Sequence, residues 1–203
     1  NNCGEVIGNY DLNLWDPLAT RSFIYRAGSV HDLGTISGFN NLATAINNYG
    51  QVVGYFDNGW TKTGYLHRSS GEVIDLGALS GATLTEPLAI NDAGVIVGYS
   101  GELAFQYQNG KMSAFGTYRG YPIVSAESIN NCGQTLLWYQ RYDLSFGTLI
   151  YSGGHMHDIG IPGGGKGSTF GSYINDRGII LGTYNAEDGS WGNFIYRDSK
   201  FQY

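Results

Sequence analysis

One short phrase occurs five times along this chain, and any fold for it must be assembled from five copies of one unit. Residues 1–10 read NNCGEVIGNY, 45–55 AINNYGQVVGY, 90–99 INDAGVIVGY, 129–139 INNCGQTLLWY and 174–184 INDRGIILGTY. The glycines Gly4, Gly50, Gly94, Gly133 and Gly178 are spaced by 46, 44, 39 and 45 residues. Other segments recur in phase. An aromatic stretch follows each phrase: SFIYR (22–26), GYLHR (64–68), LAFQY (103–107), TLIYS (148–152) and NFIYR (193–197). Then come SVHDLG (29–34), EVIDLG (72–77), KMSAFG (111–116) and HMHDIG (155–160). The array fills the chain, with units at 1–42, 43–86, 87–125, 126–170 and 171–203 and no separate domain or linker.

Each unit parses into four strands. Strand A is short and ends in Ile: ATAI (43–46), PLAI (87–90), AESI (126–129), GSYI (171–174). The N-[ND]-x-G turn follows, in which an Asx side chain bonds the backbone two residues on and the glycine takes positive φ. Strand B runs straight back, strand C is the aromatic segment, and Asn109-Gly110 and Ser70-Gly71 mark the turn into strand D. Four antiparallel strands per roughly 40–45 residues make a β-propeller blade. The expectation is an all-β, five-bladed β-propeller of four-stranded antiparallel blades. Strand A appears only four times, so one inner strand is missing from the first blade, and a partner segment or an oligomer would complete it. Gly8, Gly54, Gly98 and Gly182 share one place in strand B, which predicts a neighbouring sheet pressing close there. Leu137 breaks that pattern, so the fourth unit should pack differently.

Composition supports an all-β chain and excludes several classes. The 32 glycines and 16 tyrosines suit turns and short strands. The formal charge of −6 and the lack of a Lys/Arg cluster argue against nucleic acid or an anionic membrane surface. No apolar run approaches the roughly 20 residues of a membrane-spanning helix. No signal peptide is visible at Asn1, and without an initiating Met the chain reads as a mature or excised fragment.

The repeats resemble the bacterial HAF family, described as extracellular repeats. Its pattern includes A-x-x-I-N-x-x-G-x-I-V-G-Y and D-L-G-T-L-G-G, similar to Ala43 to Tyr55, to Asp32-Leu33-Gly34-Thr35-Ile36-Ser37-Gly38 and to Asp75-Leu76-Gly77-Ala78-Leu79-Ser80-Gly81. The H-A-F triplet is absent; Leu103-Ala104-Phe105 comes nearest. The resemblance implies an extracellular or secreted protein and no particular activity.

Candidate ligand-binding residues lie in the B–C loops, which a propeller gathers on one face with the D–A loops. They are Trp15 and Asp16; Asp57, Asn58 and Trp60; Tyr142 and Asp143; and Asp188 and Trp191. A flat ring stacks on the apolar face of a sugar while Asp and Asn bond its hydroxyls, the few polar groups on an apolar floor that ligand sites use. The alternative is that each ring folds back over its own blade. The expected function is non-enzymatic and lectin-like, with a glycan ligand. A protein-interaction scaffold is the second reading, since the same face could dock another chain.

Other motifs point less far. GGGKGST (163–169) lacks the Ser or Thr that a phosphate loop needs after Lys166 and falls in a D–A loop. His155 and His157 share one strand face but lack a third metal ligand, and no metal or cofactor is expected. Asp32, Asp75 and Asp158 recur near the end of strand D, as a turn-forming residue would. A glycosidase needs two carboxylates about 5–10 Å apart across the sugar, and the inner strands supply only Glu127, with Glu86 just before Pro87. No catalytic residue is therefore assigned. Cys3 and Cys132 fall at one place in units one and four, which are not neighbours in a ring of five; two free thiols are expected.

Overall fold

The computed structural model of the protein describes residues 1–12, 20–34 and 39–202. All regular structure among them is β-strand, in five antiparallel sheets taken in chain order. The first sheet has three strands: β1 (Val6–Asp11), β2 (Thr20–Arg26) and β3 (Ser29–Asp32). The second holds β4 (Asn40–Ile46), β5 (Val52–Asp57), β6 (Lys62–His67) and β7 (Val73–Asp75). The third holds β8 (Thr85–Ile90), β9 (Ile96–Ser100), β10 (Leu103–Gln108) and β11 (Lys111–Ala114). The fourth holds β12 (Thr117–Tyr118), β13 (Tyr121–Ile129), β14 (Thr135–Gln140), β15 (Phe146–Ser152) and β16 (His155–Asp158). The fifth holds β17 (Gly167–Ile174), β18 (Ile180–Ala186), β19 (Trp191–Arg197) and β20 (Lys200–Gln202).

The first sheet is one strand short, as the missing strand A predicts, and β1 pairs with β2 alone. The fourth sheet departs from the four-stranded expectation. A two-residue strand, β12, folds onto the start of β13 through Thr117 opposite Pro122 and Tyr118 opposite Tyr121. The inner strands also begin earlier than the apolar residues mark, at Asn40, Thr85, Tyr121 and Gly167. Polar leaders such as Asn40 and Asn41 extend the ladder because their backbone still pairs with strand B.

Burial follows the period-2 alternation of strand B. Val52 faces the first sheet, in a layer with Ile24 and Ala43. Its neighbour Val53 faces the third, with Leu66, Ile90, Ile96 and Phe105. Val97, Ala104, Ile123 and Leu149 fill the third layer, and Leu136, Ile174, Ile180 and Phe194 the fourth. Sheets buried on both faces need apolar residues at successive positions, which is why strand B reads QVVG, VIVG and IILG.

The strand B glycines are explained from within their own sheets, a correction to the expected pressure from a neighbour. A Cβ on Gly54 would strike the Leu42 carbonyl and the Tyr65 ring; on Gly98, the Glu86 carbonyl; on Gly182, the Phe170 carbonyl and the Phe194 ring. On Gly8 it would strike Phe23. A register shift in the inner strand, at Ala43/Ala45, Pro87/Ala89 and Gly171/Tyr173, lies beside Gly54, Gly98 and Gly182. The strand C residue opposite each glycine is aromatic: Phe23 opposite Gly8, Tyr65 opposite Gly54, Phe105 opposite Gly98, Phe194 opposite Gly182. In the fourth sheet Leu137 replaces glycine and Leu149 replaces the ring opposite it, and both are fully buried in the third layer.

Candidate functional site

At one end of the sheets the five Asx-Gly turns come together. Each leading Asn caps its own turn: Oδ1 of Asn47 accepts from the Tyr49 and Gln51 N–H groups, and Asn1, Asn130 and Asn175 do the same. The closing glycines take φ of 75°, 68°, 74°, 77° and 73°, the left-handed region where a Cβ is strained. The same Asn side chains also reach across to the next sheet. Asn1 Nδ2 donates to the Asn47 carbonyl, Asn47 to Asn91, Asn91 to Asn130 and Asn130 to Asn175. A parallel ladder runs through the second turn residue. The Asn2 N–H donates to Asn48 Oδ1, Asn48 to Asp92, Asp92 to Asn131 and Asn131 to Asp176. The phrase thus shapes a hairpin and also stitches it to its neighbour.

These ladders surround a basin of about 670 Å³ lined by residues of all five turns, with Glu127 of β13 on its wall. Burial holds the Glu127 carboxyl above the usual carboxylate range, partly offset by Ser125. The free thiols Cys3 and Cys132 belong to the ladders: each is exposed and donates to the next turn's carbonyl, Asn48 and Asp176 respectively. Sequence reasoning missed the ladder, although five recurrences of Asn followed by Asn or Asp were its signal.

The B–C loops emerge at the opposite end. Trp15 and Asp16 lie outside the described residues. Trp60 is 91 % exposed, Tyr142 83 % and Trp191 67 %. The three rings differ in support. Trp191 stacks on Phe170, with centroids 5.9 Å apart, and Tyr142 packs against Tyr121 at 5.0 Å. Trp60 stands at the tip of a turn that Asn58 braces through the Trp60 and Thr61 N–H groups. The loop carboxylates are engaged by their own turns. Asp57 accepts from the Gly59 N–H, Asp143 from the Ser145 N–H and hydroxyl, and Asp188 from the Ser190 N–H. The serine bonds, side chain first, hold the Asp143 and Asp188 carboxyls below their ordinary range. Each uses Oδ1, which leaves Oδ2 of the same carboxylate outside those bonds. The described candidates therefore sit on separate loops of the second, fourth and fifth sheets.

A polar group missed by sequence reasoning joins the second and third sheets at this end. Lys62 pairs with Glu86 and lies over the Tyr55 ring, 4.8 Å from its centroid. Burial, and then a bond to Glu86, push the Tyr99 hydroxyl well above its usual range. Glu86 belongs to β8, so the inner strands carry a second acid beyond Glu127. Of these two glutamates, Glu127 lines the basin between the turns and Glu86 does not. The remaining motifs make local contacts. Asp32, Asp75 and Asp158 each accept from the N–H two residues on, at Gly34, Gly77 and Gly160. Lys166 lies 3.8 Å from Glu187, and the glycine run leads into strand β17, where a phosphate loop needs a helix. His157 contacts the Tyr196 hydroxyl at 3.4 Å, and no group of three metal-ligating side chains occurs among the described residues.

The model of one family matches residues 1–137, described as a protein of unknown function, DUF3466. The chain belongs to that family. No curated protein matches it in sequence. Solved structures match in fold. TolB from Acinetobacter baumannii aligns at TM-score 0.62 and 12 % identity, over 91 % of this chain and 48 % of that one. A prolyl endopeptidase aligns at TM-score 0.67 and 14 % identity, over 98 % of this chain and 32 % of that one. An acylaminoacyl peptidase from Pyrococcus horikoshii aligns at 0.60 and 11 %, over 98 % and 35 %. This member of the DUF3466 family is thus all-β and propeller-like, and it spans from about a third to about half the length of these structures.

Proposed function

We propose that the chain is a non-enzymatic, carbohydrate-binding module: an extracellular five-bladed β-propeller that contacts glycans through its B–C loops. The observation that carries this reading is Trp60. A Trp ring left 91 % exposed on a backbone-braced turn contributes nothing to the core, so its place in the sequence is accounted for by contact with something else. Tyr142 and Trp191, each propped by another ring, repeat the arrangement two and three sheets further on. Flat, pre-positioned rings with a carboxylate alongside suit sugar faces and hydroxyls. Several weak sites on one face gain avidity on a repetitive surface. A protein ligand on the same loops is the second reading, favoured by the unequal lengths of the loops. Glycan-array binding by the chain, lost in Trp60→Ala and Trp191→Ala, is the expected result. An array without signal, together with a protein captured by the wild type and released by Trp60→Ala, would replace the first reading with the second.

A further inference from the structure

The inner strands share a backbone device that the turns do not explain. In β4, Ala43 pairs with Gly54 and Ala45 with Val53, so Thr44 is an extra residue in the ladder. The same shift leaves Leu88 extra in β8, Glu127 in β13 and Ser172 in β17. A bulge gives up ladder pairing and re-aims the side chain of the extra residue. All four extra residues line the basin of about 670 Å³ between the turns. The device repeats from sheet to sheet and its side chain does not: a hydroxyl, a branched alkyl group, a carboxylate and a second hydroxyl. The turns repeat one Asn to make one contact, whereas these positions bring unlike chemistry to one space.

Glu127 is the member of this set that the fold leaves least satisfied. Among the described residues its carboxyl takes a hydrogen bond from Ser125 alone, and no cation pairs with it. A carboxylate has acceptor sites for about four. Glu86, the other inner-strand acid, is paired with Lys62. Asp92 and Asp176 also line the basin, but both oxygens of each are engaged by the ladder, by Asn48 and Asn131 respectively. Arg177 is the one basic side chain among the described lining residues, against three acids. A half-buried carboxylate without a counter-charge weakens the fold, a cost that proteins accept where the charge is used. The rest of the wall selects the kind of cation. No group of three metal-ligating side chains occurs among the described residues, and the basin falls in the range of small-molecule pockets, about 300–1,000 Å³. Tyr173, beside Ser172 and 56 % exposed, lines the basin too, and the face of a ring attracts an ammonium as a carboxylate does.

We propose that the basin is a binding site for a small hydroxylated amine, with its ammonium group at Glu127, its carbon frame against Leu88 and a hydroxyl bonded to Ser172. One carboxylate matches one ammonium, and the alkyl and hydroxyl walls match the frame that carries it. The site lies at the opposite end of the sheets from the B–C loops and does not depend on them.

The probe is glucamine, an open-chain aminopolyol whose amine is charged at neutral pH, and its uncharged counterpart sorbitol is the control. Neither has a sugar ring, so stacking on the loop aromatics does not enter the readout. Titration calorimetry should show saturable binding of glucamine, with sorbitol weaker by about tenfold or more, the worth of one charge-assisted hydrogen bond. Glu127→Gln should lose about as much affinity for glucamine while melting no lower than the wild type, so the loss cannot come from unfolding. Ser172→Ala, which removes an exposed hydroxyl, should cost about twofold to fivefold. Amide shifts on titration should centre on Leu88, Glu127 and Ser172. No binding of glucamine, equal binding of the two probes, or full binding by Glu127→Gln each overturns the proposal. Shifts confined to the B–C loops overturn it as well, because the amine would then belong to the glycan-binding face. None of these failures touches the reading of Trp60, which is tested with ring sugars on the other end.

Discussion

The two ends of the sheets are built from the same repeat and have diverged in opposite ways. At the turn end the sequence hardly varies, and nearly every polar side chain is occupied by its own turn or the next. Asn91 alone caps the Val95 N–H, donates to Asn130 and receives from Asn47 at its carbonyl. At the loop end the sequence varies in length and content, and its large rings are left to solvent. Repetition in this chain therefore marks stitching between sheets, and departures from repetition mark the surface free to specialise. The phrase that draws attention first is the scaffold.

The sharpest way to break this contrast is to remove one rung without disturbing its cap. Asn91→Asp keeps the oxygen that caps the turn, replaces the Nδ2 donor and sets a carboxylate oxygen against the Asn130 carbonyl in a buried site. The expected cost is about 3 kcal/mol or more, a fall of roughly 6–12 °C in Tm for a chain of this size. Asn175→Asp makes the same chemical change at the last turn, where Nδ2 has no partner among the described residues, and should stay within about 0.5 kcal/mol of wild type. Thermal melts of the two variants side by side decide it. Equal losses would mean that the cap, common to both, is all that the phrase supplies.

Truncation on the loop end should be far milder, and graded by what lies under each ring. Trp191→Ala removes the stacking on Phe170 and should cost about 1 kcal/mol, with Tyr142→Ala costing about half as much. Trp60→Ala should leave Tm unchanged. A drop of several degrees for Trp60→Ala would show its ring to be cover for the second sheet and would remove the main support for the binding face.

Much of this architecture could be read from the sequence because it rests on local rules. The Asx-Gly turns, the hairpin order, the three-stranded first sheet and the free thiols all follow from turn chemistry and spacing. What escaped depends on groups that only the fold brings together. A glycine such as Gly54 does not say in the sequence what occupies its space; the occupants are Leu42 and Tyr65, 12 and 11 residues away in the same sheet, and not a neighbouring sheet. The covariation of Leu137 with Leu149 was visible in principle, since each replaces a glycine or an aromatic ring found in the other sheets. Lys62 and Glu86 meet across two sheets with no shared phase in the repeat. β12 rests on two residue pairs, too few for any pattern.

The smallest predicted effect concerns the one acid on the basin wall that lies outside the ladders. Burial raises the Glu127 carboxyl above its usual 4.5, so the folded protein holds this proton more tightly than the unfolded chain does. Between the raised value and the ordinary one the native state binds more protons, and stability must rise as pH falls through that window and level off below about 4.5. At neutral pH, the half-buried charge is a liability. Glu127→Gln keeps the shape and removes the charge, so the variant should melt slightly above wild type at pH 7, and the difference should shrink steadily on acidification. A difference that stays constant from pH 7 to pH 4.5 would show that Glu127 titrates as an ordinary surface acid. The basin would then be as wet as the loop end, and the contrast between the two ends would rest on the hydrogen-bond ladder alone.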